Sequence, residues 1–175
     1  MKTFRYAIPL DSPNIAALVN LAKTGDDGRA GWTNESQLLS GERTNPAEVA
    51  ELMLAPGGHF LLCEDDGELI GCVYLSINGV EGYLGLLAVR PSLQASGVGR
   101  SLIEEAERVA RDQWRCTTML MTVITSHRHE LTAYYQRRGY VRTGRFKTFA
   151  RKGAEGNMKV PGLRLEWMSK MLADL

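Results

Sequence analysis

The run HFLLCEDDGELIGCVYLSINGVEGYLGLLAV, residues 59–89, limits the fold more than any other part of the chain. It holds three apolar segments separated by Asp66-Gly67 and Asn78-Gly79. Such pairs supply the positive φ angles of a tight hairpin turn, so the flanking segments must pair antiparallel. The pattern changes after Val89. RPSLQASGVGRSLIEEAERVAR leads into a helix with Val98, Leu102, Ala106 and Val109 on one face, and TTMLMTVI then reads as a further strand. An antiparallel meander that continues through a crossover helix predicts an α/β (α+β) fold with a mixed sheet, not a doubly wound parallel one.

The rest of the chain fits around this centre. TFRYAIPL has strand composition, and Ser12-Pro13 predicts a helix start with proline at the first helical position. The helix that follows places Ile15, Leu18, Val19 and Ala22 on one stripe. KTGDDGRAGWTNE is too rich in Gly and Asp for regular structure. Asn45-Pro46, with Glu48 at capping-box spacing, starts a second helix, AEVAELML, which stops before Pro56-Gly57-Gly58. Beyond the crossover, ELTAYYQRR predicts a helix ending at Gly139 and YVRTGRFKTFA a strand. LRLEWMSKML predicts a last strand with Leu163, Leu165 and Trp167 inward. The element order is β-α-α-β-β-β-α-β-α-β-β in a single domain spanning residues 1–175.

Charge and cysteine usage narrow the partners. The 175 residues carry a formal net charge of +1, which gives no general attraction to nucleic acid or an anionic membrane. Cys63, Cys72 and Cys116 lack metal-ligand spacing and read as reduced core residues, with no metal expected. The N-terminal residues lack the apolar stretch of a signal peptide, and no apolar run approaches the length needed to span a bilayer. The expectation is a cytoplasmic protein.

The junction between the third meander strand and the crossover helix carries the chemistry. Gly97 and Gly99 let the backbone turn tightly and approach a ligand, and the first N–H groups of a helix have no partner within it. With the helix dipole, they suit a phosphate or pyrophosphate. The P-loop pattern fails, because Gly99 is followed by Arg100-Ser101 and no earlier glycine stands at the right offset. The dinucleotide fingerprint fails as well, since Leu102 replaces its third glycine and apolar strand replaces its acidic ribose ligand.

Gln94-Ala95-Ser96-Gly97-Val98-Gly99, after a strand ending in LAVRP, resembles the signature of the GNAT superfamily of CoA-dependent N-acyltransferases. YYQRRGYVRTGRF is similar to that family's Tyr-x-x-x-Gly-Phe/Tyr segment, with Tyr135 four residues before Gly139-Tyr140. The resemblance implies a mostly antiparallel sheet, flanked by helices and splayed at its fourth and fifth strands. It also implies acetyl-CoA as co-substrate and a primary amine, of a small molecule, as acceptor. The amine attacks directly, through a tetrahedral intermediate. Gln94, Ala95, Ser96, Gly97, Val98, Gly99, Arg100 and Ser101 would hold the pyrophosphate, and Leu87, Ala88 and Val89 the pantetheine. Tyr135 would touch the cofactor and give a proton to the departing thiolate. Arg128 stands where many members carry asparagine, and is assigned to a CoA phosphate instead. Two other readings stand beside this one: a non-catalytic acyl-CoA-binding or sensing domain, and acetylation of a protein N-terminus or lysine. A monomer or a homodimer is compatible with either.

The acceptor side is less marked. Alternation puts Glu81 and Tyr83 on one face of their strand, where Tyr83 would bind substrate. Glu81 is either a general base or the exposed end of a hairpin. Arg29, Trp32, Glu35 and Arg43 fall between the first two helices, where the family places its acceptor wall. Glu35 is a second candidate base, and Trp32 either meets substrate or anchors a lid. His127 and His129 have no further ligand at metal spacing, and Arg137, Arg138, Arg142 and Arg145 read as a solvated face.

Overall fold

In the computed structural model, which describes residues 1–23, 41–147 and 162–172, the meander forms as its turns require. Strands β2 (His59–Asp65), β3 (Glu68–Asn78) and β4 (Glu81–Val89) pair antiparallel in succession. Asp66 and Gly67 both take positive φ, 49° and 81°, as a turn matched to right-twisted strands demands. β1 (Lys2–Tyr6) adds to β2, and β5 (Thr118–Ile124) joins β4 in parallel. A parallel neighbour requires a crossover, which α3 (Val98–Arg108) provides. β6 (Val141–Lys147) and β7 (Leu165–Met171) complete a sheet of order β1-β2-β3-β4-β5-β7-β6. Every element expected from the sequence is present in the expected order.

Strand alternation sends successive side chains to two cores. Phe60, Leu62, Cys72 and Tyr74 pack beneath α1 (Ser12–Lys23) and α2 (Pro46–Leu54). Leu61, Cys63, Val73 and Leu75 pack on the other face with Val98, Leu102 and Ala106 of α3 and with Leu131 and Tyr135 of α4 (His129–Gln136). The three cysteines are buried and unpaired. No described helix is long and apolar enough to cross a membrane.

Helix ends show which local signals survive folding. Ser12 does not cap α1, contrary to expectation: a 3-10 turn, Pro9–Asp11, precedes it, and Ser12 is already helical. Its hydroxyl donates to the Pro9 carbonyl at 2.8 Å, while the Asp11 carboxylate accepts the Ile8 N–H at 2.8 Å. Pro9 thus opens the segment a turn earlier than Pro13. Asn45 caps α2 as expected, accepting the Glu48 N–H at 3.0 Å, but Glu48 turns to the Thr44 hydroxyl instead of closing the box. In α1, the Asn20 side chain accepts the Arg43 and Thr44 N–H groups at 2.8 and 3.0 Å and donates to the Thr44 carbonyl at 2.9 Å.

The end of α4 explains the Tyr-x-x-x-Gly-aromatic spacing physically. The Tyr140 N–H reaches back to the Tyr135 carbonyl at 3.2 Å, and the Gly139 N–H to Gln136 at 3.0 Å, with Gly139 at φ 93°. This is a Schellman stop, and it includes the apolar contact that accompanies one, with the Tyr135 and Tyr140 rings 6.2 Å apart. Tyr140 then donates to Glu107 of α3 at 2.9 Å, and Lys170 of β7 donates to the same carboxylate at 2.8 Å.

β7 differs from the sequence expectation. Glu166 and Met168 are its buried residues, whereas Leu165 and Trp167 face the opposite side and line a cleft. Leu163, before the strand, is buried as expected. A carboxylate can occupy the inward position because it brings its donors with it. Glu166, 1% exposed, accepts the Arg142 Nε and Nη2 groups (Nη2 at 2.6 Å), the Thr125 hydroxyl at 3.2 Å and the Gly144 N–H at 3.3 Å. The β6 irregularity between Arg142 and Phe146 folds around this group.

The Arg142 guanidinium, with smaller help from the Gly144 N–H and Thr125, holds the Glu166 carboxyl below its usual range. A depressed folded value stabilises the protein above the unfolded pKa, near 4.3, and that stability is lost as pH falls through the folded value. Arg142→Met therefore lowers the unfolding free energy at pH 7 by about 2 kcal/mol, less than for a fully buried pair because Arg142 is half exposed. Urea denaturation should show the gap to wild type widest at neutral pH and narrowing below about pH 4.

Candidate functional site

β4 and β5 stay paired over three positions only, Glu81 with Thr118, Gly82 with Met119 and Tyr83 with Leu120. Beyond them the strands part, and the polar groups of β4 on that side face a wedge. A bulge sharpens the opening. Cys72 pairs with Ala88 and Tyr74 with Gly85, which leaves Leu86 and Leu87 together opposite Val73. Leu86 accordingly takes φ 48°, an uncommon angle for a γ-branched residue. Leu86 packs toward the α1–α2 face and Leu87 toward the α3–α4 face.

Two concavities meet at this wedge. A cleft of about 620 Å³ opens between β4, β5 and β7, and a groove of about 490 Å³ runs over the start of α3. Lys23, Leu87, Leu131 and Tyr135 line both. Tyr135, 6% exposed, therefore stands where the two spaces join.

The groove is floored by the glycine loop. Gly97 precedes α3 at φ 91° with no side chain capping the helix, and Ala95 is also left-handed at φ 64°. The first helical bond is from the Ser101 N–H to the Gly97 carbonyl at 3.0 Å, so the N–H groups of Val98, Gly99 and Arg100 lie ahead of it. The Ser101 hydroxyl donates to the same carbonyl at 2.9 Å, and the Ser96 hydroxyl to Leu93. Gln94 Nε2 reaches the Val89 carbonyl at 3.2 Å and ties the loop to the end of β4. Val98 is buried in the core, so its backbone alone belongs to the loop, and Ala88 on β4 is likewise buried and offers only its backbone.

Residues not assigned to the site from the sequence close the groove's other side. Tyr134 lies over Gly99, where an added Cβ would come within 3.3 Å of its hydroxyl. The Arg138 guanidinium stacks 3.4 Å from the Tyr134 ring centroid, and Nη1 donates to the Tyr134 carbonyl at 2.8 Å. Burial raises the Tyr134 pKa, so it stays a neutral donor. Arg100, Arg137 and Arg138 all line this groove against one carboxylate, Glu130, among the described residues. Arg100 shares its charge with Glu104, 2.8 Å away on the next turn. The pair Arg137-Arg138 is thus more than a solvated face. Its sequence signal, two arginines after two tyrosines at a helix end, is ambiguous without the position of α3.

Arg128, assigned from the sequence to a CoA phosphate, is not among the residues lining the loop groove. It is buried at the start of α4 and lines the central cleft. Glu81 is exposed on the cleft's rim. Tyr83 lies deeper, with its hydroxyl 3.4 Å from Thr122 Oγ1 and Trp167 edge-on at 6.0 Å. Arg43 and Lys147 also line the cleft. Arg29, Trp32 and Glu35 lie outside the described residues. No group of three or more His, Cys, Asp or Glu side chains among the described residues is arranged to hold a metal ion.

Comparison with known proteins matches this geometry. The sequence model of the acetyltransferase (GNAT) family fits residues 29–140. Mycothiol acetyltransferase of Streptomyces coelicolor is 34% identical over 94 residues, which is 53% of this chain and 29% of that protein, so the chain spans under a third of that relative. The fold resembles ribosomal-protein-S18-alanine N-acetyltransferase from Escherichia coli, with a TM-score of 0.70 and 15% identity over 100% of this chain and 96% of that one. Ard1 from Thermoplasma volcanium superimposes with a TM-score of 0.73 and 17% identity over 99% of both chains. At these identities the two structures speak for the fold alone. The family match covers well over half of the chain and takes in the glycine loop, the wedge and the helix stop; the chain belongs to the GNAT family of acetyltransferases and is an enzyme of that type.

Proposed function

We propose that this enzyme transfers an acetyl group from acetyl-CoA to a primary amine of a small molecule, by direct attack and without a covalent enzyme intermediate. One observation carries the reading: the continuous path from the uncapped start of α3, through the wedge, into the central cleft, with Tyr135 at the join. A pyrophosphate fits the loop because N–H groups that no side chain caps point at it, and arginines line the same groove. The parted edge of β4 offers backbone partners to an amide-bearing arm, as an edge strand does to an added strand.

The chemistry follows the same path. The acceptor enters from the cleft, where Glu81 is the one carboxylate among the described lining residues and takes the amine proton, directly or through water. The tetrahedral intermediate gathers negative charge on its oxygen, and a β4 backbone N–H near Leu87 stabilises it. As the intermediate collapses, the carbon–sulfur bond breaks and the Tyr135 hydroxyl supplies a proton to the thiolate.

Two variants test this reading. Tyr135→Phe keeps the ring and removes the proton donor, so turnover falls about 100-fold or more while the CoA dissociation constant, measured by calorimetry, stays within about threefold. Unaltered turnover on a confirmed acceptor would remove Tyr135 from the mechanism. Gly97→Ala has open space around it but must hold φ 91°, so it costs about 1–2 kcal/mol in chemical denaturation and weakens CoA binding by displacing the loop N–H groups.

A further inference from the structure

We propose that Tyr83 limits the acyl chain this enzyme accepts, closing the pocket behind an acetyl group. The proposal rests on the groove being the acyl-CoA path, and adds to it the residue that sets donor length.

Tyr83 is the last β4 residue paired with β5 before the wedge opens. Its ring does not stand off the strand but lies along it, over Gly85. A Cβ at position 85 would sit 2.9 Å from a ring carbon and 3.0 Å from the hydroxyl oxygen. Residues two apart share a face, so only a glycine leaves this berth empty. The ring is held from two further sides. Its hydroxyl is 3.4 Å from Thr122 Oγ1 on β5, and Trp167 of β7 meets it edge-on at 6.0 Å. Thr122 and Trp167 are themselves cross-strand partners. The ring therefore spans the narrow end of the wedge, from β4 to β5 and β7.

Its place beyond the join decides what fits. Leu87 and Tyr135 mark the join on the α3–α4 face, and Tyr83 packs on the α1–α2 face just before the bulge, so a chain that passes through the wedge meets the ring. With the thioester sulfur beside Tyr135, the acyl chain extends through the wedge toward that ring. Each added methylene drives the chain into a ring that can retreat only by giving up its contacts with Thr122 and Trp167. Overpacking a held aromatic is costly, so affinity should fall steeply after the first carbon or two.

Calorimetry with CoA, acetyl-CoA, butyryl-CoA and hexanoyl-CoA on the full chain tests the proposal without an acceptor. The readout is the ratio of acyl-CoA to CoA dissociation constants within each protein, which cancels any general weakening. Wild type and Tyr83→Phe should bind butyryl-CoA about tenfold or more weaker than acetyl-CoA. Tyr83→Ala should bring that ratio below about threefold, and Tyr83→Leu, which keeps apolar bulk beneath Trp167, should narrow it in the same direction if the alanine variant folds poorly. Equal binding of acetyl- and butyryl-CoA by wild type, or an undiminished ratio in folded Tyr83→Ala or Tyr83→Leu, overturns the proposal. Failure to bind CoA at all overturns the acyl-CoA reading itself, whereas tight CoA binding without length dependence overturns only the role of Tyr83.

Discussion

Three residue pairs between β4 and β5 hold the two halves of the sheet together, and the rest of the molecule is arranged around where that pairing stops. A sheet that stayed paired to the end of β4 would be a continuous wall. Because it parts after Tyr83, the chain gains an opening through its centre without exposing an outer edge. The crossover helix that parallel pairing demands then begins beside the opening. The bulge at Leu86 and Leu87 divides consecutive side chains between the two faces, which carries the path from one face of the sheet to the other.

Around this opening, polar groups are treated in two ways. Where carboxylates support the architecture they are fully engaged: Glu166 accepts donors from β6 and from the end of β5, and Glu107 ties α3 to α4 and β7. At the start of α3 the backbone is left without a side-chain cap, in contrast to α2 with Asn45. The uncapped N–H groups would be a defect in a buried helix. Beside a groove lined by arginines they form a binding surface.

Most of the fold could be read from local signals because each element states its own period. Asp66-Gly67 defined the hairpin, the apolar stripe of α3 matched its buried face, and Gly139 stopped α4. Readings failed where two local solutions compete or where a neighbour decides. Pro9 and Ser12-Pro13 can both open a helix, and the chain takes the earlier, with Asp11 closing back onto the Ile8 N–H. The alternation of β7 correctly gave a strand but not its inward face, since apolar Trp167 and acidic Glu166 exchanged the expected sides. Tyr134, Arg138 and Lys23 were missed for a related reason. Their patterns are those of any helix end, and only the approach of α4 to α3 makes them walls of a groove.

The Asn20 clamp has a consequence for how such a molecule can change. One side chain in α1 fixes the backbone at Arg43 and Thr44, so the chain leaving α1 and the chain entering α2 are fastened together at their bases. The same clamp sets where Arg43 meets the cleft, so a change at Asn20 is felt at the site without touching it. At the glycine loop the backbone angles are themselves the fitting. The two ends of the path are therefore held by different means, a side chain of α1 at one and backbone geometry at the start of α3 at the other.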